Sequence, residues 1–138
     1  MHCLAQLVNF GLLPRGLFRE WSYDPGRFGV TGYGDLVEPE KIPRSLWELM
    51  VEVAGGSSIG VQGRIELLAR IEWSLDVGVL YPFYDGCGRV SRYYSCLLAL
   101  WWQLSWAVHT SRREYFEAAS EGLGRFVQYY HQAIGEDE

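Results

Sequence analysis

The spacing of hydrophobic residues along the chain predicts a mainly α-helical protein. Apolar residues recur at the 3.6-residue period of a helix in most of the second half of the chain. The predicted helices run over about Pro43–Val53, Val61 or Gln62 to Gly78, Arg89–Val108 and Arg112–Ala133. The Arg89–Val108 segment is hydrophobic on nearly every side, so it is expected at the centre of the fold. The last segment is interrupted at Gly122-Leu-Gly124.

The N-terminal third of the chain has a different pattern. Residues 1–20 predict a short helix that breaks at Leu13-Pro14, because proline disfavours helical conformation in the residue before it. The stretch Trp21–Glu38 is rich in turn residues, with Phe28, Val30 and Tyr33 alternating, which predicts a small hairpin or an extended flap. No linker or repeat divides the chain, so we expect one domain over 1–138, with a core at about 15–133.

Composition and charge narrow the classes of partner. Hydrophobic residues make up 49% and charged residues 21% of the chain, as in an ordinary soluble globular protein. The net charge of −5 argues against nucleic acid as a partner, since a surface that binds nucleic acid needs clustered Lys and Arg. The longest apolar run, Tyr93–Val108, contains Ser and Gln and is short for a bilayer span, so no membrane partner is expected.

The cysteines indicate a reducing compartment. Cys3, Cys87 and Cys96 are odd in number and have no paired spacing. The first ten residues also lack a basic region and a small-residue cleavage site, so no signal peptide is predicted. We therefore expect a cytoplasmic protein, and delivery into another cell as an effector stays open.

One segment contains residues that suit the binding of a phosphate group. It is Tyr81-Pro-Phe-Tyr-Asp-Gly-Cys-Gly-Arg-Val-Ser-Arg92, and it lies between the second and third of the four predicted helices. A helix that starts just after Gly88 directs backbone N–H groups and the positive end of its dipole into the loop. Arg89 and Arg92 lie on one side of its first turn and suit phosphate oxygens. Asp85 is a hard oxygen ligand suited to Mg²⁺. Gly-x-Gly alone is more often an ordinary turn, but the whole string predicts a phosphate-binding loop.

This segment resembles the signature of the Fic (Fido) family, His-Pro-Phe-x-Asp/Glu-Gly-Asn-Gly-Arg-x-x-Arg. The matching residues are Pro82, Phe83, Asp85, Gly86, Gly88, Arg89 and Arg92. With residue frequencies near one in fifteen, seven matches arise by chance on the order of 10⁻⁸ per window. Weaker similarity at Arg27–Thr31, Val37–Pro43 and Arg113–Ala118 extends the resemblance over roughly 15–133.

The resemblance implies a Fic-like helical bundle with a small β-hairpin flap, which binds ATP or another nucleotide with Mg²⁺. It further implies transfer of AMP to a hydroxyl of a protein target. Asp85 would hold the metal. The residues implied to bind the phosphates are Gly86, Cys87, Gly88, Arg89 and Arg92. Thr31 and Gly32 in the flap would position the target segment as an added strand.

Two residues depart from the signature. Tyr81 stands where the family has the histidine that acts as general base. A phenol with a pKa near 10 is deprotonated about once in a thousand at pH 7, and general-base catalysis contributes roughly 10²–10⁴-fold, so a comparable loss of rate is predicted. Cys87 replaces an asparagine that helps to hold phosphate, and its thiol either fills a small space or acts as a nucleophile.

Three hypotheses follow from the sequence. The first is a diverged Fic transferase of reduced or altered activity. The second is a catalytically inactive Fic-like pseudoenzyme that binds a nucleotide or a protein partner. The third is an all-α interaction module whose Trp-rich surface binds another protein, since aromatic residues reach 15% with six Trp. The sequence leaves open whether the protein is an enzyme.

Overall fold

The computed structural model describes residues 36–76, 78, 80 and 87–134, and this part of the chain is mainly helical, as predicted. It contains five α-helices and two short 3₁₀ turns, Pro39–Lys41 and Gly56–Ser58. The helices are α1 (Ile42–Ala54), α2 (Val61–Asp76), α3 (Cys87–Trp101), α4 (Arg112–Ser120) and α5 (Leu123–Ile134).

The first helix closely follows its prediction. A proline occupies the first turn of α1, where its missing N–H costs no helical hydrogen bond. Ile42, Leu46 and Leu49 lie on one face and are buried. The helix ends at Ala54, before Gly55 and Gly56, as the sequence indicates.

The centre of the fold is α2. Eight of its sixteen residues are buried, and it packs against α3 and α5. The buried residues are Ile65, Leu67, Leu68, Ala69, Ile71, Glu72, Leu75 and Asp76. Two of these eight are carboxylates, which need polar partners inside the fold.

The prediction for the third helix is wrong at its C-terminal end and in placing this helix at the centre of the fold; its start is within two residues of the predicted one. Helix α3 begins at Cys87 and ends at Trp101, and residues 104–111 form no regular element. Only one face of α3 is buried. The large apolar side chains on its other face are exposed: Tyr93, Leu97, Leu100 and Trp101.

A backbone motif explains why α3 stops seven residues before Val108. Gln103 has a positive φ of 58°, and the N–H groups of Gln103 and Leu104 donate to the carbonyls of Leu100 and Ala99. This is the Schellman arrangement, which usually places glycine in the left-handed position. A glutamine there gives no local sign of a helix end. Trp102, buried against Gly56, anchors the turn.

The last two helices confirm the predicted break. Ser111 caps α4 by accepting a hydrogen bond from the N–H of Glu114 at 3.2 Å. Gly122 then turns the chain into α5 with a φ of 111°, which favours glycine. Tyr115 of α4 packs edge-on against Phe126 of α5, with ring centroids 5.3 Å apart.

The part of the chain that the structure describes contains no strand, and no helix in it is long and apolar enough to cross a bilayer. The predicted hairpin flap at Trp21–Glu38, with Thr31 and Gly32, lies outside the described residues except for 36–38, which form no strand. A Fic-like order of the bundle therefore stays a prediction.

Candidate functional site

The structure describes part of the predicted phosphate loop. Tyr81, Asp85 and Gly86, like Thr31 and Gly32, lie outside the described residues. The four remaining candidates, Cys87, Gly88, Arg89 and Arg92, all lie in the first two turns of α3. The helix thus starts two residues before Arg89, so Cys87 and Gly88 belong to its first turn rather than to the loop.

The N-terminal end of α3 therefore coincides with the second half of the motif. A helix start leaves up to four N–H groups without intrahelical acceptors and carries the positive end of the helix dipole. Cys87 is buried, with 1% of its surface exposed, which agrees with a small residue filling a small space. Arg89 is exposed on the adjoining surface.

Gly88 is held in close contact with two charged side chains. A Cβ at this position would lie 2.9 Å from Nη2 of Arg92 and 2.9 Å from Oδ1 of Asp76. Those distances are shorter than ordinary Cβ contacts, so any larger residue would push the guanidinium or the carboxylate aside. The φ of Gly88 lies outside the left-handed region, so the constraint on a side chain at this position is steric rather than conformational.

Arg92 is engaged within the protein. Its Nη1 lies 3.1 Å from Oδ2 of Asp76 on α2, and its Cζ lies 5.6 Å from the centroid of the Tyr115 ring on α4. Burial lowers the pKa of Arg92, but Tyr115 and Asp76 outweigh burial and raise it above its ordinary value. The guanidinium is therefore a permanent cation that joins three helices.

Tyr115 completes this contact. Its hydroxyl donates to the same Asp76 Oδ2 at 2.9 Å. Burial first, and then the charges of Glu72 and Asp76, raise the pKa of Tyr115 well above 10. The phenol is consequently a neutral donor at physiological pH, and Asp76 accepts from one cation and one hydroxyl.

A second carboxylate lies one turn earlier on α2. Glu72 is 1% exposed, and Ser95 donates to its Oε1 at 2.8 Å. Nε2 of His109 lies 3.0 Å from its Oε2, which is an ion pair when the imidazole is protonated. Oε2 accepts no hydrogen bond of ordinary geometry within the described residues. The other imidazole nitrogen, Nδ1, lies 3.0 Å from the Tyr129 hydroxyl.

Sequence reasoning missed Glu72, Asp76, His109 and Tyr115 as site residues. A signal was present in α2, because Ile65, Ala69, Glu72 and Asp76 continue one stripe at helical spacing. Two acidic residues in an otherwise apolar stripe indicate buried carboxylates that need donors. Their partners, 16 to 39 residues away along the chain, have no such local signal.

Among the residues that the structure describes, no group of three or more His, Cys, Asp or Glu side chains could hold a metal ion. The predicted Mg²⁺ ligand, Asp85, lies outside them. The metal site therefore stays a prediction.

No protein-family model matches the chain, and a search of curated proteins gives no match either. Assignment to the Fic family accordingly stays a prediction that rests on the motif residues. What the structure adds is the geometry of the Gly-Arg-x-x-Arg portion, which forms the start of a 15-residue helix against the central helix.

Proposed function

We propose that this chain is a diverged Fic-type domain that binds a nucleotide, ATP in the first instance, with Mg²⁺ at the N-terminal end of α3. In this proposal a hydroxyl of a protein target attacks the α-phosphate at a low rate, so that AMP is transferred to the hydroxyl oxygen and pyrophosphate leaves. The observation that supports the proposal is that the Gly-Arg-x-x-Arg residues of the motif form the N-terminal end of a 15-residue helix packed against α2, where backbone N–H groups and the helix dipole favour an anion.

The described residues suit the binding step. The start of α3 offers backbone N–H groups and a positive dipole end to an anion, and exposed Arg89 adds a charge-assisted donor beside them. Asp85 would hold Mg²⁺ between the phosphates, as the resemblance implies. Tyr81 in place of the histidine base lowers the rate of transfer without removing these binding groups.

A second candidate, a nucleotide-binding pseudoenzyme, is favoured by the engagement of Arg92. The guanidinium already contacts Asp76 and Tyr115, so a phosphate would have to share it. Sharing is chemically possible because a guanidinium has five N–H donors. Restricted access to Arg92, together with Tyr81, supports binding over turnover.

Calorimetric titration with Mg²⁺·ATP tests the binding step, and comparison with CTP, GTP and UTP tests base preference. Arg89→Ala should weaken ATP binding about tenfold or more, since it removes one hydrogen bond to a charged group. The matched control is Arg44→Ala, an exposed arginine on α1 that pairs with Glu48 four residues on. The phosphate-loop proposal is wrong if ATP does not bind, or if both variants bind it like the wild type.

Transfer is tested by incubation with ATP labelled at the α-phosphate and separation of the labelled proteins. Label on protein supports the transferase. Binding without label supports the pseudoenzyme. Tyr81→His should raise transfer by roughly 10²–10⁴-fold if only the base is missing. ATP binding without any gain of label in this variant would contradict the transferase.

A further inference from the structure

A cavity of about 730 Å³ lies between α3, α4 and the irregular segment that joins them, with Glu72 of α2 at its wall. Its described lining consists of Glu72, Arg92, Ser95, Cys96, Trp106, Ala107, Val108, His109, Arg112, Tyr115 and Phe116. The volume is in the range typical of sites for small organic molecules. Cys87, Gly88 and Arg89 are not part of this lining, so the cavity begins one turn along α3 from the helix start.

Aromatic side chains contribute to the lining of this cavity. Trp106 is 49% exposed and Phe116 is half-buried, and both contribute to the lining. Ala107 and Val108 extend this apolar wall. A planar ring gains most from such a wall, because it can stack or pack edge-on against the aromatic side chains.

Arg112 supplies the charge for recognition. Its Cζ lies 5.6 Å from the centroid of the Phe116 ring. Within the part of the chain that the structure describes, the exposed guanidinium of Arg112 makes no hydrogen bond or ion pair. Five N–H donors are therefore available beside an aromatic face, in a fork that matches a carboxylate.

The other polar groups of the lining narrow the choice of ligand. The nitrogens of His109 face Glu72 and Tyr129, and Arg92 faces Asp76, so neither side chain is the main contact for a ligand. Arg92 still adds a positive charge to the wall. Glu72 is buried and acidic, with His109 Nε2 3.0 Å from its Oε2, so it disfavours a second anion beside it and leaves Arg112 as the place for an anionic group.

We propose that this cavity is a binding site for a planar aromatic carboxylate, with the ring against Trp106 and Phe116 and the carboxylate on Arg112. The cavity shares Arg92 with the proposed nucleotide site, and the rest of its described lining lies beyond the start of α3. The ligand is defined by one flat apolar body and one anionic group.

The test uses 2-naphthoate as the probe and 2-naphthalenemethanol as its neutral counterpart, with binding measured by calorimetry on the full chain. Naphthoate should bind with a dissociation constant on the order of 1 mM or lower, as expected for a ligand of its size. The neutral alcohol should bind about tenfold more weakly. Arg112→Gln should weaken naphthoate binding by about tenfold, since it removes a charge-assisted contact.

Arg113→Gln is the matched control, because Arg113 is the next residue of α4 but bonds to Glu117 outside this cavity. It should bind naphthoate like the wild type. Trp106→Leu keeps an apolar side chain and should weaken binding about threefold to tenfold through the lost ring contact. Circular dichroism confirms that each variant is folded before its affinity is compared.

The proposal is overturned if naphthoate does not bind, if Arg112→Gln and Arg113→Gln have the same effect, or if the neutral alcohol binds equally well. Competition with ATP separates this site from the proposed nucleotide site. Simultaneous binding of ATP and naphthoate supports two sites. Mutual exclusion, with Arg89→Ala weakening both ligands alike, would mean that the cavity belongs to the nucleotide site and is not a separate one.

Discussion

Replacing Tyr115 by phenylalanine removes one hydroxyl from the contact between α2, α3 and α4. This hydroxyl donates to Oδ2 of Asp76 at 2.9 Å, and the ring is 3% exposed. A hydrogen bond to a charged group contributes about 1.5–3 kcal/mol. Asp76 keeps its contact with Arg92, so the carboxylate is not left without a partner. We therefore expect Tyr115→Phe to lower the free energy of unfolding by about 1.5–3 kcal/mol at pH 8.

The difference in the free energy of unfolding between Tyr115→Phe and the wild type depends on pH, and its direction follows from the pKa of Tyr115. The pKa of Tyr115 is raised well above 10 in the folded protein, because burial and the nearby carboxylates disfavour the phenolate. Above pH 10 the unfolded chain releases this proton and the folded protein keeps it, so stability falls as pH rises. The loss from one tyrosine is about 1.4 kcal/mol at pH 11. The variant lacks this loss, so its disadvantage should shrink by that amount.

Urea unfolding of the wild type and the variant at pH 8, 10 and 11, followed by circular dichroism, measures both effects. The other tyrosines are common to the two proteins and cancel in the difference. Tyr93→Phe is the control: Tyr93 is 58% exposed, and its replacement should change the free energy by less than about 0.5 kcal/mol at pH 8. A difference between Tyr115→Phe and wild type that stays constant from pH 8 to pH 11 would refute the account of a buried, neutral phenol.

Substitutions at three further positions test other contacts, each by urea unfolding. Gly56→Ala should destabilise by about 1–3 kcal/mol, because its Cβ would overlap the ring of Trp102, and an unchanged midpoint would contradict that packing. Ser111→Ala should cost about 1 kcal/mol by removing the cap of α4, whereas Ser111→Asp should retain most of it. Glu72→Ala should cost about 3 kcal/mol and Glu72→Gln clearly less, since glutamine keeps the side-chain volume and can still accept from Ser95; equal losses would contradict a contribution from that hydrogen bond.

Local patterns predict much of this fold. The bounds of α1 and α2 follow from apolar spacing and from the glycines at 55 and 56, and the break between α4 and α5 follows from Gly122. The end of α3 could not be predicted, because Gln103 takes a left-handed conformation that its residue type does not favour. Continued apolar composition up to Val108 then suggested a helix where the chain has already turned.

The candidate site, like the fold, can be predicted from the sequence only in part. The motif string predicts Gly88 and Arg92 as site residues, and they are neighbours on α3 because they lie four residues apart on one helix. That Arg92 faces Asp76 and Tyr115 could not be predicted, because these contacts join residues 16 and 23 positions away that no local period relates. Tertiary packing decides which donor reaches which buried carboxylate, and a single sequence does not contain that information in local form.

The two carboxylates of α2 also determine the register of the helix pair. Glu72 meets Ser95 while Asp76 meets Arg92, so the pairs run in opposite directions along α2 and α3, one turn apart. If α3 slid by one turn, about 5.4 Å, Asp76 would face Ser95 and Glu72 would face the apolar side chains of Leu98 and Ala99. A buried carboxylate without a donor costs several kcal/mol, whereas apolar contacts tolerate such a slip. The longitudinal position of Gly88, and hence of the helix start, is therefore constrained from inside the bundle by these two contacts.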